Sequence, residues 1–350
     1  MFFASDNTSG VPQQILDALG RANDGFSLGY GADTLMERVR DKVRTVFEAP
    51  EAAVYLVATG TAANSLALAT HIQPWQTIYC HRVAHIEEDE CAAPEFFAGG
   101  AKLTLIDGAH GKIDPEALRR TLDEAPQGVH HVQRGIVSLT NLTERGARYS
   151  VAEVAQIAAA ARAHGLPVHL DGARFANAIA AEGCTPAEMT WKAGVDVLSF
   201  GGTKNGLMGV EAVVLFDPSR AWEFELRRKR GGHLFSKHRY LSAQMDAYLT
   251  DGLWMDLATR ANAMAERLEA GLVAAGVRMV HPRGGNMLFV EFPLKAHQAL
   301  RAAGAVYYDW PAPPPADAGA DFPHQARLVA SWSTTEAHVD GFVERLTAAL

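Results

Sequence analysis

Between Val54 and Phe216 the chain alternates short β-rich runs with longer amphipathic stretches. The runs Val54–Ala58, Thr77–Cys80, Lys102–Ile106, Gly135–Leu139, Val168–Leu170, Val195–Phe200 and Val210–Phe216 predict strands. The stretches between them are long enough for crossover helices. That alternation predicts an α/β fold with a largely parallel sheet covered on both faces. One helix is fully punctuated: Ser150 with Glu153 makes a capping-box pattern, Val151, Val154, Ile157 and Ala158 form the apolar stripe, and Gly165 stands at the stop. From about Trp222 the pattern turns mainly helical, most clearly over 260–276. A smaller α/β unit follows: MLFVEF, a helix near Lys295–Ala303, then AVYYDW, RLVASW and a final helix to Leu350. The prolines of PAPPPADAGA (311–320) exclude a regular helix there. The expected organisation is an N-terminal arm over 1–14, a large unit over 15–250 and a small C-terminal unit over 251–350.

Composition narrows the class. A chain of 350 residues has room for two or three units around a sizeable core. Its 32 Lys and Arg against 40 Asp and Glu give a formal charge of −8, and no basic block is present. Such a chain repels phosphate backbones, so nucleic acid is not an expected partner. The opening MFFASDNTSG lacks the basic and apolar regions of a signal peptide, and no apolar run approaches the roughly 18–20 residues of a membrane span. Cys80, Cys91 and Cys184 are odd in number and lack CxxC spacing, which argues against a disulfide scaffold or structural zinc and fits a reducing cytosol. The expectation is a cytoplasmic α/β enzyme or binding protein.

Three motifs sit at the carboxyl ends of expected strands, where open α/β sheets bind ligands. In ATGTAANSLAL (58–68) a strand runs into Gly60–Thr61 and opens a helix, whose free N–H groups and dipole suit a phosphate. Taken alone, most Gly-Thr turns are plain helix starts. In VHLDGARFANA (168–178) Asp171 directly follows a strand, with Arg174 three residues on. That carboxylate can hold a protonated ring nitrogen, although capping a helix is the commoner use of such a residue. In DVLSFGGTKNGLMGVEAVV (196–214) a strand enters Gly201–Gly202–Thr203 and then Lys204. A lone lysine in a polar turn is usually a solvated charge. Here glycines and apolar strands confine its stem, and desolvation makes an amine nucleophilic. No GxxxxGK[ST] loop is present. In order along one sheet, the three supply a phosphate cradle, an acid for a pyridinium nitrogen and an imine-forming lysine, the parts that pyridoxal phosphate needs.

With these residues in place the sequence resembles the fold-type-I pyridoxal-phosphate enzymes of the beta-eliminating lyase group. Within that group it is similar to the low-specificity L-threonine aldolases, including the phenylserine aldolase branch. The resemblance runs from FASDN (3–7) to RLVASWSTT (327–335) through YGAD (30–33), TGTAANSLAL (59–68), DECAAPEFF (89–97), HLDGARFANA (169–178) and WKAGVDVLSFGGTKNG (191–206). RRKRGGHLFSKHRYLSAQ (227–244) looks like the phenylserine branch. The resemblance implies an aspartate-aminotransferase-like large domain with a mostly parallel seven-stranded sheet and a smaller C-terminal α/β domain.

It also implies roles for individual residues. Lys204 would form the Schiff base, Asp171 would pair with the pyridine nitrogen, and Gly60 and Thr61 would hold the phosphate. His85 would stack on the cofactor ring near the substrate hydroxyl. His130, or its neighbour His131, would face that hydroxyl. Ser5, Arg174 and Arg327 would grip the α-carboxylate, with Tyr30 of YGAD also at the substrate and Arg174 also near the cofactor. A basic residue from a neighbouring subunit, Lys237 or Arg239, would reach the phosphate, which makes a homo-oligomer, dimer or tetramer, the expected assembly. Two departures stand out: Asn141–Leu142–Thr143–Glu144 replaces an Asn-Thr pair followed by histidine, and the acid after His85 is open among Glu87, Asp89 and Glu90. No metal is expected, since a Cys91–His85 pairing lacks a spaced ligand set. The implied reaction cleaves L-threonine, L-allo-threonine or phenylserine to glycine and an aldehyde. A β-eliminating lyase or an aminotransferase would use the same parts on a different bond. A non-enzymatic scaffold would predict loss of Lys204 or Asp171, and a nicotinamide dehydrogenase would need the missing GxGxxG.

Overall fold

All seven expected strands form, with ends within two residues of expectation: β1 (Ala53–Val57), β2 (Gln76–His81), β3 (Lys102–Ile106), β4 (Gln133–Thr140), β5 (Val168–Gly172), β6 (Val197–Gly201) and β7 (Glu211–Leu215). The structure is a computed structural model that describes residues 1–126 and 128–350. The strands build one sheet in the order β1-β7-β6-β5-β4-β2-β3. Strand β7 runs antiparallel to both neighbours and the other pairings are parallel. β5, β6 and β7 are buried along their whole length, as strands covered by helices on both faces must be. β3, at the sheet edge, is only partly buried.

Local chemistry sets the helices that flank the sheet. Val151–Arg162 begins at a formed capping box, in which the Ser150 hydroxyl accepts the Glu153 N–H and the Glu153 carboxylate accepts the Ser150 N–H. Gly60–His71 begins at Thr59, whose hydroxyl accepts the Ala62 N–H. Between sheet and helices lies an aromatic core. Phe200 packs edge-on against Phe47, Phe175 and Trp254 with centroids 5.5, 5.8 and 5.5 Å away, spacings that favour the rings' quadrupoles.

A second sheet, ordered β10-β11-β9-β8, is antiparallel: β8 (Arg278–Met279), β9 (Met287–Pro293), β10 (Tyr308–Trp310) and β11 (Pro323–Val329). It has its own core, which includes Leu268, Val290, Leu328 and Phe342. The chain's start joins that core: Phe2 bridges Val306, and Phe3 meets Phe342 with centroids 5.2 Å apart. Residues 4–7 then pass to the carboxyl edge of the large sheet. Among the described residues no helix is long and apolar enough to cross a membrane.

The glycine at the end of β6 is demanded by packing. A Cβ on Gly201 would lie 2.4 Å from the Ala173 carbonyl oxygen, a backbone atom that cannot swing aside. Gly201→Ala is expected to cost about 1–3 kcal/mol through overpacking. A calorimetric melting midpoint unchanged to within about 1 °C would refute that account.

Candidate active site

Because β1, β2, β4, β5 and β6 are mutually parallel, their carboxyl ends meet at one edge of the sheet. A cavity of about 230 Å³ opens there, lined by Thr59, Gly60 and Thr61 after β1, His85 and Glu90 after β2, Asp171 and Ala173 at β5, and Thr203 and Lys204 after β6. Glu211, the first residue of β7, lines it as well, since the antiparallel strand starts at this edge.

The helix start after β1 leaves the N–H groups of Gly60 and Thr61 without intrahelical acceptors, a site made for an anion. Asp171 is buried, and its two carboxylate oxygens accept from Asn64 Nδ2 at 2.8 Å and from the Ala173 N–H at 3.0 Å. Both bonds aim the carboxylate while leaving lone pairs free. Lys204 lies on the short turn Thr203–Asn205. Desolvation lowers its pKa first, and Arg174 adds to this, against the pull of Asp6, Asp171 and Glu211. A larger neutral fraction makes the amine a better nucleophile.

His85 opens the helix His85–Glu88, and its Nδ1 lies 2.8 Å from Glu90 Oε1. Glu90, not Glu87 or Asp89, is therefore the acid paired with this histidine. Burial pushes the imidazole pKa down, but the Glu90 carboxylate and Asp171 outweigh it and the net shift is upward. The bond to Glu90 places the proton of a neutral His85 on Nδ1 and leaves Nε2 as the acceptor. Asn64 Nδ2 also donates to Glu90 Oε1 at 2.8 Å, so one amide links the partner of the histidine to Asp171. His85, Glu90 and Asp171 place ligand-type atoms within 4.8 Å of one another. These hydrogen bonds account for that arrangement without a metal ion.

Arg174 donates Nε and Nη2 to the two oxygens of Asp6, at 2.7 and 3.0 Å, and Asn286 donates to Asp6 at 3.1 Å. Burial raises the Asp6 pKa, and Arg174, Lys204 and Asn286 together more than reverse it. Arg327, on β11, donates Nη2 to the Ala4 carbonyl at 3.3 Å and stacks beside Tyr308 and Trp310, while its buried Nε has no protein partner. Ser5 is used locally: its hydroxyl accepts the Asn7 N–H at 3.2 Å.

Several expected residues lie elsewhere. His130 and His131 are exposed in the turn before β4, whereas the cavity lies beyond that strand's last residue. Eight residues of strand span about 25 Å, so this chain does not bring His130 to its own site. The carboxyl end of β4 leads instead to Glu144, whose Oε1 accepts the His85 N–H at 2.7 Å. Burial and the nearby Asp171 push the Glu144 carboxyl up to about 7. Tyr30 is exposed, with its hydroxyl 3.2 Å from that of Ser236, and does not line the cavity. Lys237 is exposed and Arg239 donates to the Asp24 and Gly25 carbonyls; neither lines the cavity.

Asp6, Asn64, Glu144 and Glu211 escaped the reading of the sequence. For Asn64 a signal existed: it is a polar residue inside the apolar run Ala62–Ala69, four residues after Gly60 and so on the same helix face.

The cavity fits pyridoxal phosphate by its donors and by what it leaves unpaired. Asn64 Oδ1 and Glu90 Oε2 are buried on its wall without protein partners. Buried polar atoms without partners are rare, and a bound group with polar edges would supply them. A family model for beta-eliminating lyases matches residues 3–294. A low-specificity L-threonine aldolase from a Pseudomonas species is 41% identical over 96% of this chain and 94% of its own length. The Pseudomonas aeruginosa protein of the same name is 43% identical over 87% of this chain and 88% of its own. The solved structure of the Leishmania major threonine aldolase superimposes with a TM-score of 0.91 at 29% identity, covering 99% of this chain and 98% of that one. The chain therefore belongs to the beta-eliminating lyase family, as a pyridoxal-phosphate-dependent lyase of the threonine aldolase type.

Proposed function

We propose that the protein cleaves L-threonine, L-allo-threonine and bulkier β-hydroxy-α-amino acids such as phenylserine to glycine and an aldehyde. The observation that carries this reading is the meeting, in one cavity, of Lys204, Asp171 and a free helix start with a histidine held by Glu90. Pyridoxal phosphate, when bound, supplies an electron-withdrawing ring that takes up charge from the substrate α-carbon. Lys204 would be the amine that anchors it, Asp171 would hold its ring nitrogen protonated, and the Gly60 and Thr61 N–H groups would hold its phosphate. His85, with Nε2 left as the acceptor, would remove the β-hydroxyl proton as the Cα–Cβ bond breaks. Arg174, aimed by Asp6, and Arg327 hold the α-carboxylate, and such clamps decide which bond is presented for cleavage. A β-elimination or transamination would have no use for a base at the β-hydroxyl. The His85–Glu90 pair therefore favours the aldol reading.

We further propose that the working form is a homo-oligomer with shared sites in the cytoplasm. The loop carrying Tyr30 and the stretch carrying Lys237 are bound together, through the Tyr30 N–H and the Ser236 carbonyl at 3.2 Å. Both residues present exposed side chains outside this chain's own cavity. That placement suits delivery of a tyrosine and a base to a neighbouring copy.

Assays of glycine release from the isomers of threonine and phenylserine test the reaction itself; no glycine from any of them rejects it. L-threo-phenylserine is expected to be cleaved at least as efficiently as L-threonine. Seating a ring in an open apolar aldehyde pocket is worth on the order of 2 kcal/mol, roughly thirty-fold in kcat/KM. A clear preference for L-threonine would reject the open pocket, and cleavage of D-threonine would reject the L-stereochemistry.

Lys204→Ala is expected to abolish borohydride-fixable cofactor and to lower turnover by about 10³-fold or more, roughly 4 kcal/mol in the barrier, with circular dichroism unchanged. A variant retaining turnover within about ten-fold of the parent would reject Lys204 as the nucleophile.

The His85–Glu90 pair has a pH signature. A carboxylate against the ring favours the charged imidazole, so its removal lowers the histidine's pKa, and a base works when neutral. Glu90→Gln should move the acid limb of the kcat/KM profile about one pH unit lower. An unmoved or upward-moving limb would separate Glu90 from the base.

A further inference from the structure

Glu211 is a carboxyl group in a run where every neighbour is apolar. Val210, Ala212, Val213, Val214 and Leu215 are fully buried, and Glu211 itself is 6% exposed. Its backbone pairs with Gly201 across β6 and with Val57 across β1, which sets it beneath the turn that carries Lys204. Its Oε2 accepts the Gly202 N–H at 2.6 Å. Removing a carboxylate from water costs several kcal/mol unless a partner charge offsets it. The other hydrogen-bond partners of Glu211, the Thr203 N–H and hydroxyl, are neutral, and neutral hydrogen bonds are a small offset.

The cation available is Lys204. Four charged side chains bear on that lysine: Arg174, Asp6, Asp171 and Glu211. Asp6 is committed to Arg174 by two bonds and to Asn286 by a third. Asp171 is held by Asn64 and the Ala173 N–H, and the proposed function assigns it to the cofactor ring. Among the described residues no arginine or histidine is bonded to Glu211; what faces it besides Lys204 is the Tyr248 hydroxyl group, itself hydrogen-bonded to Asn205 at 2.7 Å, and the Thr203 hydroxyl.

We infer that Glu211 is a positioning residue for Lys204: it pins the Gly202–Lys204 turn through the Gly202 N–H and sets the proton affinity of the lysine nitrogen as the negative charge facing it. Burial raises the Glu211 carboxyl to about 7. A positive charge on the nitrogen opposite favours its ionised form. This inference rests on the reading of Lys204 as the cofactor-bearing residue.

The test is a pH titration of the cofactor's visible absorbance in the intact holoprotein, which reads the protonation of the nitrogen joining Lys204 to the cofactor. Glu211→Gln keeps the side chain's size and an acceptor for the Gly202 N–H but removes the charge. Its midpoint is expected to fall by about one pH unit, as loss of an opposing charge at short range dictates. Glu211→Asp keeps the charge farther from the turn and should fall between the other two. It carries the test alone, as a smaller downward shift, if the glutamine variant does not fold. A purely structural role would lower the melting temperature of both variants and leave the midpoints together. Midpoints that agree to within about 0.2 units, a small fraction of that shift, overturn the inference. Borohydride fixation and peptide mapping of the parent separate the two failures. A tag on Lys204 with unshifted midpoints removes the role of Glu211 alone, whereas a tag on another lysine removes both this role and the reading of Lys204.

Discussion

An amine taken out of water must be matched by charge or give up its proton, and that condition at Lys204 organises the carboxyl edge of the large sheet. The turn after β6 has no freedom to carry the lysine elsewhere, since Gly201 and Gly202 are packed against backbone atoms of Ala173 and Val210. Acids therefore come to the lysine from three other places in the fold. Asp6 arrives from the N-terminal arm, Asp171 from the end of β5 and Glu211 from the start of β7. Arg174 takes up the charge of Asp6, so the cluster is close to balance while Lys204 keeps a lowered pKa. Nucleophilicity and stability would pull against each other at an isolated lysine. Here a shared set of partners serves both.

The base side of the site depends on a second small network. His85 is held at two points, its backbone N–H by Glu144 and its ring by Glu90. Asn64 then ties Glu90 to Asp171. One amide side chain thus couples the group that would handle the substrate's hydroxyl proton to the group that would keep the ring protonated. Networks of this kind are worth having only when nearly every member is satisfied, because low dielectric makes an unpaired polar atom costly. The unpaired oxygens of Asn64 and Glu90 point to what completes it.

The arm makes the second sheet part of the site. Phe3 is buried in the core of that sheet, and three residues later Asp6 is buried against Arg174 and Asn286. Ala4 takes the Arg327 guanidinium on its carbonyl. The residues proposed to hold the substrate carboxylate are therefore set by contacts from both sheets.

What could be read from the sequence was what the chain decides within a few residues. The strand runs, the capping box at Ser150 and Glu153, the helix start at Thr59–Thr61 and the glycine turn ahead of Lys204 are local patterns of hydrogen bonding and side-chain size, and each appears where expected. Sequence separation marks where that reading stopped. Asp6 meets Arg174 across 168 positions, Asn64 meets Asp171 across 107 and Glu144 meets His85 across 59. Nothing local to any of these residues names its partner, so only the strand order could pair them. The histidine at 130 shows the same limit from the other side: its residue type suited the chemistry, but the direction of β4 put it at the far end of the sheet. Glu90 was one of three candidate acids until the helix His85–Glu88 ended and brought the fifth residue along back to the ring. Backbone periodicity is a short-range property, legible in the residues themselves. Which side chains share a buried charge is settled only when parallel strands bring distant turns to one edge.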